Sequence, residues 1–78
     1  MSDVNLTKGT VADLARIMAM AVELGAEKYD GNRATLAKWT GRRIWHTLPV
    51  TNLRGMHLPY LRSAFTAGWY QAEMMGKP

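Results

Sequence analysis

Cysteine is absent from this 78-residue sequence. Its absence excludes disulfides, thiolate zinc sites and cysteine nucleophiles. The chain also lacks an apolar run of about 18 residues, so no transmembrane helix is expected. Its first residues have neither the basic start nor the apolar stretch of a secretory signal. We therefore expect a cytoplasmic protein that makes no membrane contact.

Recognisable catalytic groupings are missing as well. The only histidines, His46 and His57, would need further ligands to hold a metal, and the nearest carboxylates, Asp30 and Glu73, are distant in sequence. Ser63 lies in no recognisable nucleophile motif. The glycines are scattered and form no phosphate-binding fingerprint. We expect neither an enzyme nor a cofactor or metal.

Negative charge is scarce in most of the chain. Residues 1–27 carry two basic and four acidic residues, a net −2, whereas residues 28–78 carry eight basic and two acidic residues, a net +6. Residues 33–62 contain no acid, so their cations lack local salt-bridge partners and should form a positive face, suited to a polyanion or an acidic protein surface. The alternative is a merely solubilising surface. The six cations are Arg33, Lys38, Arg42, Arg43, Arg54 and Arg62.

A chain of this length forms one domain, and 47% hydrophobic content argues against disorder. We expect a flexible arm over residues 1–9 and a single helical domain over residues 10–78. Because so small a core supplies little stability, a partner or self-association as a homodimer would brace it.

The spacing of apolar residues predicts an all-α domain of three helices, over about residues 10–26, 33–47 and 59–75, with no strand of useful length. The turn at Asp30 and Gly31 precedes Asn32, a suitable helix cap. Pro59 suits the start of the third helix and Gly76 its end. Gly41 interrupts the second helix, which leaves a kink or split open.

Two apolar stripes should meet in the core. We assign Trp39 and Phe65 to it, with Trp69 on the flank of the third helix. Ala64, Gly68 and Ala72 recur every four residues and form a smooth groove for a close helix neighbour. The first stripe consists of Val11, Leu14, Ala15, Met18, Ala21, Val22 and Gly25, and the third-helix stripe of Leu61, Ala64, Phe65, Gly68, Ala72 and Met75.

Residues 35–46 carry a small-residue pattern typical of a helix-turn-helix, with Ala37 and Gly41 four apart. In that case Arg42, Arg43 and His46 would open the recognition helix, but such a helix needs about eight more residues and the proline at position 49 comes too early, so the resemblance fails there. The alternative is an ordinary amphipathic helix that contains a glycine.

The third helix carries a family resemblance. Phe65, Gly68, Trp69 and Ala72 resemble the Phe-x-x-Gly-Trp-x-x-Ala ending of small bacteriophage helical proteins. The segment is also faintly similar to the tail of ribosome modulation factors, where a Pro-Tyr pair precedes a Gly-Trp-x-x-Ala helix. The likeness covers about twenty residues and lacks the cysteine-bearing and strongly basic parts of those factors. It implies a small phage-type protein that acts in the host cytoplasm.

These features favour a non-enzymatic protein that inhibits or modulates a host nucleoprotein machine by occluding a surface, as an anti-CRISPR, anti-restriction or RNA polymerase inhibitor would. One alternative is a direct DNA- or RNA-binding protein, such as a transcriptional regulator or ribosome-associated factor, and a second is a structural homodimer. The predicted binding residues are Arg33, Lys38, Arg42, Arg43, Trp45, His46, Arg54 and Arg62.

Overall fold

The protein is described by a computed structural model over residues 4–5, 11–48, 50–51 and 55–76. The all-α, three-helix prediction is confirmed, with the second helix broken into pieces. Helix α1 is Val11–Lys28, and α4 is Leu58–Met74 after a 3₁₀ turn, Gly55–His57. Between them lie α2, Arg33–Lys38, a kinked turn, Trp39–Arg43, and α3, Ile44–Thr47.

A two-stranded parallel pair accompanies the helices. Strand β1 is Val4–Asn5 and β2 is Val50–Thr51, with Val4 opposite Val50. Each strand has two residues, too few for an alternating pattern to appear in the sequence. The pair joins part of the predicted N-terminal arm to the chain after α3. The arm's remaining residues lie outside the described ranges, so its flexibility stays a prediction.

Local hydrogen bonds explain where α2 begins. The Asn32 side chain accepts a hydrogen bond from the Ala34 amide at 2.9 Å, which confirms it as the N-cap. The Asp30 carboxylate accepts one from the Asn32 amide at 2.8 Å and another from the Thr35 hydroxyl at 2.7 Å. Gly31 takes a φ of 78°, which glycine adopts without steric cost.

Gly41 breaks the second helix, and the question left open by the sequence is thereby answered. Its φ of −79° and ψ of −113° are non-helical, and the chain changes direction there. The Thr40 hydroxyl bonds back to the Leu36 carbonyl at 2.9 Å, which holds the residue just before the break. Leu48 is extended with a ψ of 138°, as expected of a residue before proline.

Helices α1 and α4 contact each other through glycine backbones. A methyl group on Gly68 would collide with the Val22 carbonyl, and one on Gly25 with the Phe65 carbonyl. Only glycine allows this approach, because any side chain would separate the helices. The predicted close contact along the small-residue face of the third helix is confirmed at Gly68.

The buried side chains differ in part from the predicted stripes. Phe65 is fully buried as predicted, whereas Trp39 is only half-buried at the edge of the core. Trp69, expected on the flank, is 1% exposed, and Met75, assigned to the stripe, is 79% exposed. Ala15 is also exposed. The face of α4 that packs is thus rotated toward Trp69, and Met75 follows the helix as its C-cap. The buried hydrophobic residues are Ile17, Ala21, Ile44, Leu61, Ala64, Phe65, Trp69 and Ala72.

Candidate functional site

Trp39 connects the core to a basic part of the surface. Its ring stacks on Phe65 with centroids 5.9 Å apart and planes 17° from parallel. The Lys28 ammonium lies 5.4 Å from its ring centroid and the Arg43 guanidinium carbon 5.7 Å. Both distances fall within the range of cation–π attraction. Trp39 is therefore held from inside while it orients two cations outside.

The aromatic contacts continue through the core to the opposite end of α4. Phe65 stacks on Trp69 at 6.4 Å, and Trp69 meets the edge of Tyr29 at 5.0 Å. The Tyr29 hydroxyl donates a hydrogen bond to Glu73 at 3.3 Å. Desolvation raises the pKa of Tyr29, and the charge and hydrogen bond of Glu73 raise it further. Glu73 is thus engaged with Tyr29 by a hydrogen bond.

Arg62 braces the break in the second helix. Its Nε donates a hydrogen bond to the Thr40 carbonyl at 2.7 Å, across 22 residues of sequence. This bond places the Arg62 guanidinium beside the kinked turn that carries Arg43. We call the surface formed by Trp39, Thr40, Arg43 and Arg62 the kink surface.

The exposed cations have no carboxylate partners among the described residues. The ion pair that the described chain contains joins Lys28 to its neighbour Glu27 at 3.6 Å. Asp30 is occupied by local hydrogen bonds, from Thr35 first and then from the Asn32 amide, and these lower its pKa. Among the residues that the structure describes, no carboxylate forms an ion pair with Arg33, Lys38, Arg43 or Arg62, all of which are exposed.

The structure unites only some of the predicted binding residues. Arg43 contacts Trp39 and Arg62 contacts Thr40, the neighbouring residue, while Arg33, Lys38 and His46 are exposed on the helical pieces before and after this turn. The side chains of Arg42 and Trp45 and all of Arg54 lie outside what the structure describes, so their roles stay predictions.

The helix-turn-helix interpretation is wrong. Helix α3 has four residues, Ile44–Thr47, too few for a recognition helix, and Ile44 is buried in the core. The alternative, an amphipathic helix that contains a glycine, fits the structure better, with the helix bent at Gly41. The parts of the chain that the structure describes hold no group of three or more His, Asp or Glu side chains placed for a metal ion.

The sequence patterns did not indicate several residues that lie near Arg62 and Trp39. A depression of about 490 Å³ lies beside Arg62, and its lining includes the hydroxyl residues Ser63, Thr66 and Tyr70. These three recur at helical spacing on α4, opposite its buried stripe, which is the signal that identifies them. The sequence shows only the charge of Lys28, because no local pattern indicates that its side chain reaches Trp39.

No protein-family model matches the chain, and neither a curated protein nor a solved structure does. Function is therefore inferred from the chemistry of the site itself. The resemblance of the third helix to small phage proteins stays a prediction. Within the described ranges, none of the helices is both long enough and apolar enough to cross a membrane.

Proposed function

We propose that this protein is a non-enzymatic binding protein of the small bacteriophage type, which inhibits or modulates a host nucleoprotein machine by covering one of its surfaces. The target surface is an acidic or nucleic-acid-lined groove, as in a CRISPR effector, a restriction complex or an RNA polymerase. The protein acts in the host cytoplasm and needs no cofactor.

The observation that carries the proposal is the kink surface, where Arg43 is exposed against Trp39 and Arg62 against Thr40, and neither has a carboxylate partner among the described residues. Arginine and tryptophan are the residue types that most often dominate binding energy at interfaces. Trp39 orients Arg43, and the Thr40 carbonyl orients Arg62, so less side-chain freedom is lost on binding. A pre-oriented basic surface favours docking over catalysis.

A capture experiment tests the proposal. The tagged protein is incubated with host lysate, with and without nuclease, and the recovered complexes are identified by mass spectrometry. We expect a nucleoprotein complex that the Arg43→Glu variant no longer recovers, because the reversed charge repels the acidic groove. Arg16→Glu is the matched control, since Arg16 is an exposed cation on α1 outside the predicted site. Equal recovery by both variants, at unchanged helicity, contradicts the proposal.

Direct binding to DNA or RNA is the second candidate, favoured by Arg33 and Lys38 on α2, two exposed cations with no ion-pair partner in the described part of the chain. Recovery that disappears after nuclease treatment favours this candidate. Its affinity for a bare nucleic acid should fall steeply with salt, because each neutralised phosphate releases counterions.

A structural homodimer is the third candidate. Met74 and Met75 are 88% and 79% exposed at the end of α4, and Met75 borders a depression that Ala26 and Ala72 also line. Large exposed apolar residues are typical of contact surfaces. Sedimentation of a clean monomer at micromolar concentration removes this candidate.

A further inference from the structure

The depression beside Arg62 lies between two elements. Ser63, Thr66, Ala67 and Tyr70 line it from one face of α4, and Thr40 lines it from the kinked turn. Its volume of about 490 Å³ exceeds the needs of a lone small anion. None of the described residues that line it is acidic, so none of them repels an anion.

Arg62 is oriented for an anion in this depression. Its Nε donates a hydrogen bond to the Thr40 carbonyl at 2.7 Å, and this bond fixes the plane of the guanidinium. The two terminal amino groups remain, and among the described residues no carboxylate pairs with them. A fixed guanidinium fork is the geometry that proteins use to hold phosphate oxygens.

The hydroxyl groups of the depression supply further donors. Those of Ser63, Thr66 and Tyr70 make no hydrogen bond to another residue in the described part of the chain. Hydroxyls of serine, threonine and tyrosine are common donors to phosphate and sugar oxygens of nucleic acids. The arginine end of the depression thus suits a phosphate.

Tyr70 gives the other end a different chemistry. Its ring is 39% exposed, and it lies two helical turns, about 10 Å, beyond Ser63 along α4. Exposed aromatic rings beside cations are the surfaces on which unpaired bases stack. Bases stacked within a duplex do not present a free face, so the ring favours a single strand.

We propose that this depression binds one nucleotide of a single-stranded nucleic acid, with the phosphodiester on Arg62, Ser63 and Thr66 and the base on Tyr70. The proposal rests on the proposed function, because it names the chemistry that the kink surface meets in its target. It places the nucleotide on α4, beside the break in the second helix.

Fluorescence anisotropy with a short fluorescein-labelled oligothymidylate tests the site at low salt. Arg62→Lys keeps the charge but loses the fork and the Nε donor, so we expect about tenfold weaker binding. Arg16→Lys is the matched control at an exposed arginine of α1, outside both the depression and the predicted binding residues, and should bind within about twofold of the native protein. Equal loss in both variants overturns the site.

A second pair of variants leaves the hydrogen bond between Arg62 and the Thr40 carbonyl in place. Tyr70→Leu removes the stacking ring and should weaken oligothymidylate binding about tenfold. Tyr60→Leu removes a tyrosine of the same helix that is 50% exposed and does not line the depression, and it should leave binding unchanged. Equal effects of the two substitutions, at matched helicity, overturn the role of Tyr70.

A competition experiment against the labelled probe shows whether the bound phosphate comes from a single strand, a duplex or inorganic phosphate. Unlabelled single strand should displace the probe at far lower concentration than duplex or inorganic phosphate. Equal displacement by duplex, or by phosphate alone, overturns the proposal. The absence of any oligonucleotide binding at low salt also overturns it, whereas a host complex that is still captured, and lost with Arg43→Glu, would leave the proposed function standing.

Discussion

Helices α1 and α4 form a tightly packed pair, whereas residues 33–48 form a loosely anchored segment. In the pair, backbones touch at Gly25 and Gly68, and Phe65 and Trp69 are buried between the helices. In the segment, helix α2 buries no residue, and Ile44 is the one buried side chain among those described. Stability is therefore concentrated in the pair, and the segment is held by fewer buried side chains.

A glycine-to-alanine substitution made once in the helix pair and once in the segment should show the difference in stability most clearly. Gly68→Ala drives a methyl group into the Val22 carbonyl, and we expect a loss of about 3 kcal/mol or more in the free energy of unfolding. In a domain of this size, the melting temperature should fall by more than about 10 °C. Thermal unfolding followed by circular dichroism measures it.

Gly41→Ala is the matched change in the segment. A methyl group there meets no atom within 4 Å, so we expect a change of about 1 kcal/mol or less. Similar losses for the two alanine variants would contradict the division into a tight pair and a loose segment.

Removal of the Ile44 side chain, which anchors the segment in the core, should have the next largest effect on the free energy of unfolding. Ile44→Ala deletes its fully buried side chain, and we expect a loss of about 2–3 kcal/mol, near the lower end for such changes because the loose surroundings relax into the cavity. Hydrogen exchange should quicken more over residues 33–47 than in α4. A uniform increase across both regions would show that the segment unfolds only with the pair.

The cap of α2 should matter less. Asn32→Ala removes the side chain that accepts from the Ala34 amide, and we expect a loss of about 1 kcal/mol. Asn32→Asp retains an acceptor and should be nearly neutral. Urea unfolding compares the two variants, and an equal loss in both would argue that the cap bond does not stabilise the segment.

Acidification should give the smallest effect. The pKa of Asp30 is lowered in the folded state from its ordinary 3.8, so its stabilisation is present above that pH and is lost as the pH falls through the folded value. Stability measured by urea unfolding should therefore decline below about pH 4 less in Asp30→Asn than in the native protein. Glu23→Gln, at an exposed carboxylate of α1, is the matched control. Identical acid profiles for the native protein and Asp30→Asn would contradict the assignment.

Helix ends could be predicted from local signals, but helix faces could not. Asn32, Pro59 and Gly76 each act on their own backbone or on neighbours a few residues away, so the predicted ends lie within about two residues of the observed ones. The misassigned exposures of Trp69 and Met75 depend instead on where α1 lies. A wide apolar stripe has several faces that could pack, and only the partner helix selects one.

The candidate site divides in the same way. Its cations could be predicted, because an acid-free run of sequence leaves them without local partners wherever they lie. The hydrogen bond between Arg62 and Thr40 spans 22 residues, and no periodicity in the sequence predicts it. The cations of Lys28 and Arg43 meet at Trp39 for a similar reason, since the first lies at the end of α1 and the second beyond the break.

The amino-acid sequence by itself determined that this protein is a small, basic, all-helical domain with a break available at Gly41, because composition, charge and glycine conformational freedom are properties of the chain. The tertiary structure decided which helix faces are buried and which cations share a surface. The physical reason is distance along the chain: burial and charge clustering arise from contacts between α1, the segment and α4, and those contacts exist only once the helices pack.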